Sequence, residues 1–103
     1  MLCHLVTFAI GDATLTSMEK IKLTRFVQAY NNDVRVNIVG SADSKTGTSK
    51  RNQYLSEKRA EAVKTYLTKS LGLAEENVVI TTALDVDNNA EASRAAVVNI
   101  VLE

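Results

Sequence analysis

The sequence predicts an α/β domain, a two-layer sandwich with two helices packed on one face of a mixed four-stranded sheet. Three observations predict it. Short runs of β-formers alternate with two stretches at helical spacing, in the order β-α-β-α-β-β. Polar or glycine-containing segments separate the runs. The 103 residues suit one domain, residues 1–103, and 46% apolar with 23% charged residues is ordinary for a folded chain.

The first strand is expected over Leu2 to Ile10, where Leu5, Val6, Phe8 and Ile10 precede the Gly11-Asp12 break. Thr16-Ser17-Met18-Glu19 has the form of a capping box, with Thr16 at the N-cap and Glu19 three residues on. The helix that follows carries Met18, Ile21, Phe26, Val27 and Tyr30 near helical spacing and ends at Asn31-Asn32-Asp33. Val34, Val36 and Ile38 form the apolar face of a second strand, expected to stop at Gly40. Ser41 to Ser49 reads as a polar loop, a place where binding groups concentrate on a rigid scaffold.

The second helix is expected from about Ser49 or Asn52 to Leu71. Leu55, Ala62, Val63, Tyr66 and Leu67 make its core stripe, and Gly72 suits its C-terminal cap. Val78, Val79 and Ile80 open a third strand. Asp85 to Glu91 reads as a polar turn, and Ala95 to Leu102 as a final β-rich run.

Charge and composition exclude several function classes. Lys plus Arg equals Asp plus Glu at 12 each, so the excess positive charge that nucleic acid requires is missing. No apolar run approaches the ~20 residues of a membrane span, so direct membrane insertion by this domain is not expected. No cofactor or metal is expected either: Cys3 and His4 are the only cysteine and histidine, and as strand neighbours they point to opposite faces. Both read as structural. No signal region precedes the first strand, so an exported form would be a piece of a longer chain, and lipid attachment at Cys3 is not expected.

One charge breaks the pattern of the second helix. Arg59 lies four residues after Leu55 and four before Val63, on or beside the apolar stripe. A guanidinium there needs a partner, because an unpaired buried charge is costly. Topology offers Asp43, just past the second strand in the loop that enters this helix. Ligands of open α/β sheets collect at the carboxyl ends of strands. Two readings stand. The pair reads a zwitterion, the aspartate taking an ammonium and the arginine a carboxylate. Or the two residues form an internal salt bridge.

Residues 52–67 match N-x-x-L-S-x-x-R-A-x-x-V-x-x-x-L, from Asn52 through Leu55, Ser56, Arg59, Ala60 and Val63 to Leu67. This resembles the signature of the OmpA-like C-terminal domain, shared with the peptidoglycan-associated lipoprotein and the flagellar stator protein MotB. Phe8-Ala9-Ile10-Gly11, followed by Ala13 and Leu15, resembles the family's first strand and its loop. Gly40-Ser41-Ala42-Asp43 and Gly47 resemble the segment before its signature, closest to Bacteroides-type variants.

The resemblance implies noncovalent binding of peptidoglycan in the periplasm, with the diaminopimelate of the stem peptide as the handle. It implies a domain excised from a longer outer-membrane or envelope protein, and no catalysis. Carried over by position, Asp43 would take the diaminopimelate ammonium and Arg59 its carboxylate. Asn52 and Leu55 would shape the pocket wall, amides near Gly11 would add hydrogen bonds, and Arg94 would keep one arginine of the family's Asn-Arg-Arg run. Ser41 and Ala42 depart from the family's larger His or Tyr and Thr. Ala83 to Asp87 replace its glycine-rich stretch. The alternative is a structural or protein-interaction domain that keeps the fold without the ligand. An enzyme using Asp43, Asp85 and Asp87 has no spacing to support it. If Arg59 faces ligand, Arg59→Ala is expected to abolish wall binding at little cost in stability.

Overall fold

The computed structural model describes residues 2–31, 34–42, 49–84 and 95–101. Strand β1 covers Cys3–Thr7, helix α1 Ser17–Gln28, strand β2 Arg35–Ala42 and helix α2 Ser49–Thr65. The last turn of α2 widens into a π-helical segment, Tyr66–Ser70, and a 3₁₀ turn at Glu75–Asn77 leads into β3, Val78–Leu84. Strand β4 is Ala95–Val101. The sheet order is β1-β4-β2-β3, with β4 antiparallel to both neighbours and β2 parallel to β3. The expected mixed sheet with two packed helices is the observed fold.

Strand alternation fixes which side chains meet the helices. Val6, Val36, Ile38, Val78, Ala96, Val98 and Ile100 join Leu23, Val27, Ala60, Val63 and Leu67 in one buried cluster. Helix α1 packs beside β1, and α2 lies over β2, β3 and β4.

The ends of α1 depart from expectation in an instructive way. Thr16 caps it as expected, its hydroxyl accepting from the Glu19 amide at 3.3 Å. The reciprocal half of the box is replaced: Glu19 Oε1 accepts from the Thr7 amide at 3.0 Å, tying α1 to the end of β1. The buried residues of α1 are Glu19, Leu23 and Val27, while Met18 and Ile21 are exposed. Two apolar side chains read as core thus face outward, because the helix is rotated by the Glu19 anchor and by Leu23.

Strand β1 is shorter than expected at both ends, and α1 stops at Gln28. Gly40 does not end β2. It sits inside the strand, paired with Thr82 and Ala96, because its role is close approach rather than a break. A Cβ there would collide with the Ser56 carbonyl oxygen of α2 and come within 3.0 Å of Ala60 Cβ. Gly72 ends the second helical segment with φ +80°, as its cap position requires, and Leu73 N–H closes back to Leu67 O at 3.0 Å.

Candidate functional site

The C-terminal ends of β1 and β2 lie at one rim of the sheet, together with the start of β4, since Thr7 pairs with Ala95 and Gly40 with Ala96. Beyond β1 the chain makes a tight turn in which the Asp12 amide donates to Ala9 O at 3.1 Å. Gly11 holds the third position of that turn with φ +69°, a conformation that disfavours residues with a Cβ.

Arg59 reaches this rim from the middle of α2. It is 1% exposed, the largest of the fully buried side chains. Its Nε donates to Asp12 O at 2.9 Å, one terminal nitrogen to Ser41 O at 3.0 Å and the other to Ala9 O at 3.1 Å. The guanidinium also stands 5.6 Å from the centre of the buried Phe8 ring. Three carbonyls from two separate segments therefore clamp one cation at the strand ends. This position explains the charge that interrupts the apolar stripe: the helix contributes the arginine, and the turn and strand contribute its acceptors.

Other buried polar groups flank it on α2. Asn52 is 2% exposed, and its Nδ2 has no hydrogen-bond partner among the described residues. Leu55, 7% exposed, lies between Asn52 and Arg59 on the helix. Ser56 is fully buried and donates to Gln53 O at 2.8 Å. Ser41 is buried as well, donating through Oγ to Ala95 O at 3.2 Å, so this departure from the family pattern is built into the β2–β4 seam.

Asp12, on the surface above the turn, accepts from the Thr14 amide at 2.9 Å. Hydrogen bonds from the Thr14 hydroxyl and amide hold its carboxyl below the ordinary carboxylate range, with a smaller contribution from Arg59.

Of the residues expected at the site, Arg59, Asn52 and Leu55 lie on α2, and Gly11 shapes the turn that Arg59 grips. Asp43 and Arg94 lie outside the described residues, as do residues 85–91, for which a polar turn was expected. Sequence reasoning missed the carbonyls of Ala9, Asp12 and Ser41, because a backbone acceptor leaves no residue signature. It also missed Ser56, whose small hydroxyl on the apolar stripe was a usable signal. The burial of Arg59 alters one expectation: its loss leaves three carbonyls without their donor, so Arg59→Ala carries a stability cost whether or not a ligand binds.

The fold and rim define a two-layer α/β domain with a clamped arginine at the strand ends. The OmpA family model matches residues 7–99, and the chain belongs to that family. It is 35% identical over 78 residues to outer membrane protein 40 of Porphyromonas gingivalis (strain ATCC BAA-308 / W83), a match spanning 75% of this chain and 20% of that protein. The chain thus covers about a fifth of that relative's length. Among solved structures, the OmpA-like domain of FopA1 from Francisella tularensis subsp. tularensis SCHU S4 superposes with a TM-score of 0.74 at 25% identity, over 96% of this chain and 73% of that one. The peptidoglycan-associated lipoprotein from Burkholderia pseudomallei gives 0.72 at 24% identity, over 94% and 87%. The C-terminal domain of Helicobacter pylori MotB gives 0.68 at 18% identity, over 97% and 85%, a likeness of fold.

Proposed function

We propose that this domain binds peptidoglycan noncovalently in the periplasm, gripping the diaminopimelate of the stem peptide and anchoring a larger outer-membrane or envelope protein to the wall. The observation that carries the reading is Arg59, a buried guanidinium fixed by three backbone carbonyls at the carboxyl rim of the sheet. A guanidinium has five donors, and these bonds engage one on each nitrogen. The proposal assigns the other pair to carboxylate chemistry: Asp43 when the site is empty, and the diaminopimelate carboxylate when it is filled. Asp43, which follows the last residue of β2, then turns to the ligand's ammonium.

Asn52 supports this reading, since a buried amide lacking a described partner is ready to donate to a ligand oxygen. Gly11 leaves the main chain of the turn open to a peptide, with nothing within 4 Å of where a Cβ would stand. Arg94 is assigned to the same ligand from its sequence position alone. Membership of the OmpA family, and a fold shared with a peptidoglycan-associated lipoprotein, support the partner class. Binding is the whole activity in this reading; no catalysis is assigned.

The second reading is a structural or interaction domain without ligand, and the three carbonyl bonds favour it to the extent that they give Arg59 a task in the empty fold. Calorimetric titration separates the two. A tripeptide ending in diaminopimelate should bind wild type, and the same peptide with lysine in its place should bind much more weakly. Asp43→Asn, while remaining folded, should weaken both peptides, because both carry the side-chain ammonium that Asp43 would take. Equal binding of both peptides, or of neither, contradicts the diaminopimelate reading.

A further inference from the structure

Helix α1 has two unlike faces. Glu19, Leu23 and Val27 are its buried residues, facing β1 and the core. At 3.6 residues per turn, Ile21, Arg25 and Met18 fall roughly 160–220° around the axis from Leu23, on one outward stripe. Met18 is 59% and Ile21 47% exposed. Neither lines the hollow between the two helices, so both stand on a convex surface.

The charge around these two apolar side chains has one sign. Glu19 is the only acid on α1, and it is buried against the Thr7 amide, with Lys22 paired to it at 3.5 Å. Lys20 and Arg25 form no ion pair among the described residues. Lys20 flanks the stripe on the side of α2, 5.9 Å from the centre of the Tyr66 ring. Lys69 shares with it the lining of the hollow between the helices, about 410 Å³ in volume, and no acid is among the residues of that lining.

Size and charge together select the occupant. A stable protein interface takes roughly 800 Å² from each partner, far more than two apolar side chains supply. A lipid surface asks for less. A few apolar side chains enter the boundary between headgroups and acyl chains, while long basic side chains reach the phosphates. Arg25 on the stripe, with Lys20 and Lys22 beside it, complements a negative surface. At twelve residues α1 is too short to cross a bilayer, and no described helix is long and apolar enough to do so, so the contact lies on the membrane.

We propose that the outward face of α1 docks on a bilayer surface rich in anionic phospholipid, with Met18 and Ile21 entering the headgroup boundary and Lys20 and Arg25 facing lipid phosphates. The contact is peripheral and reversible. It uses none of the residues at the Arg59 rim and does not depend on peptide binding there. Each cation near such a surface contributes roughly five-fold to the partition.

The test sediments the chain with vesicles of phosphatidylcholine alone and of phosphatidylcholine with phosphatidylglycerol in equal parts, at low and high salt. Wild type should pellet with the phosphatidylglycerol vesicles only, and salt should release it. A Lys20→Gln, Arg25→Gln pair should lose roughly twenty-fold, about five-fold per cation. A Met18→Ser, Ile21→Ser pair should lose several-fold with its melting temperature kept, since both side chains are exposed. The chain has no tryptophan, so Ile21→Trp and, as a control on α2, the exposed Tyr54→Trp serve as reporters. Emission should shift to the blue on phosphatidylglycerol vesicles for Ile21→Trp alone. Absence of vesicle binding at low salt, or binding that survives both double substitutions, overturns the proposal. A dimer broken by Met18→Ser, Ile21→Ser in a chain that ignores vesicles overturns it in favour of a second copy on this face.

Discussion

Gly40 in β2 and Ser56 in α2 meet so closely that there is no room for a single methyl group between them. That contact seats the middle of α2 against the sheet and so sets the depth at which Arg59, three residues after Ser56, enters the rim. Backbone stands behind the obstruction, so a side chain at residue 40 cannot be accommodated by a rotamer change. Gly40→Ala is expected to destabilise the domain by about 2–3 kcal/mol or more, through overpacking. Thermal unfolding measures the loss, and a variant as stable as wild type contradicts the close packing.

The Glu19 carboxylate links α1 to β1 through the Thr7 amide. Removing it in Glu19→Ala leaves a part-buried donor without its acceptor, and about 1–3 kcal/mol of stability should be lost. Glu19→Gln keeps an acceptor oxygen and should lose less. Denaturant melts of the two variants check the order, and equal losses contradict the role given to the Thr7 bond.

His4 makes stability depend on pH. Its ring stacks on Phe26 at 5.3 Å, and its Nε2 is buried without a hydrogen-bond partner among the described residues. Burial lowers its pKa from the ordinary 6.5; Glu19 opposes the shift and Lys22 adds to it. The folded state thus holds this proton less tightly than the unfolded chain. The contribution to stability is complete above pH 6.5 and is lost as pH falls through 6.5 toward the lowered folded value. Unfolding midpoints should fall between neutral pH and pH 5.5, and His4→Phe should flatten that part of the profile. An unchanged slope in the variant contradicts the assignment.

Sequence and structure agree where the signal is local or strongly periodic. Thr16 at the N-cap, Gly72 at the end of the second helical segment, and Arg59 as a charge within an apolar stripe were all legible. Met18 and Ile21 misled because helical spacing alone leaves the rotation of α1 open; Leu23 and the Glu19 anchor decide it. Gly40 read as a break because a close approach to a helix leaves the same residue as a turn does. The carbonyls of Ala9, Asp12 and Ser41 had no sequence signal, since every residue carries that acceptor. In the proposed site, Arg59 follows from the spacing in α2 and Asp43 from the topology that places its loop before that helix. The roles of Asn52, Leu55, Gly11 and Arg94 come from the resemblance.

Arg59→Lys separates charge from geometry. Lysine keeps the positive charge but cannot hold three carbonyls and a carboxylate together, because it lacks the planar fork. Wall binding should fall at least ten-fold with folding retained, whereas Arg59→Ala should also lose several kcal/mol of stability. Binding by wild type should weaken as salt rises, since partly exposed charge pairs are screened. Salt-insensitive binding contradicts a zwitterion clamp.

The most direct test is sedimentation of the purified domain with diaminopimelate-type sacculi, beside Asp43→Ala and Arg59→Lys variants shown to be folded. Wild type is expected in the pellet and both variants in the supernatant. A wild-type domain that stays in solution, or variants that sediment with it, would contradict the proposed grip of Asp43 and Arg59 on the ligand.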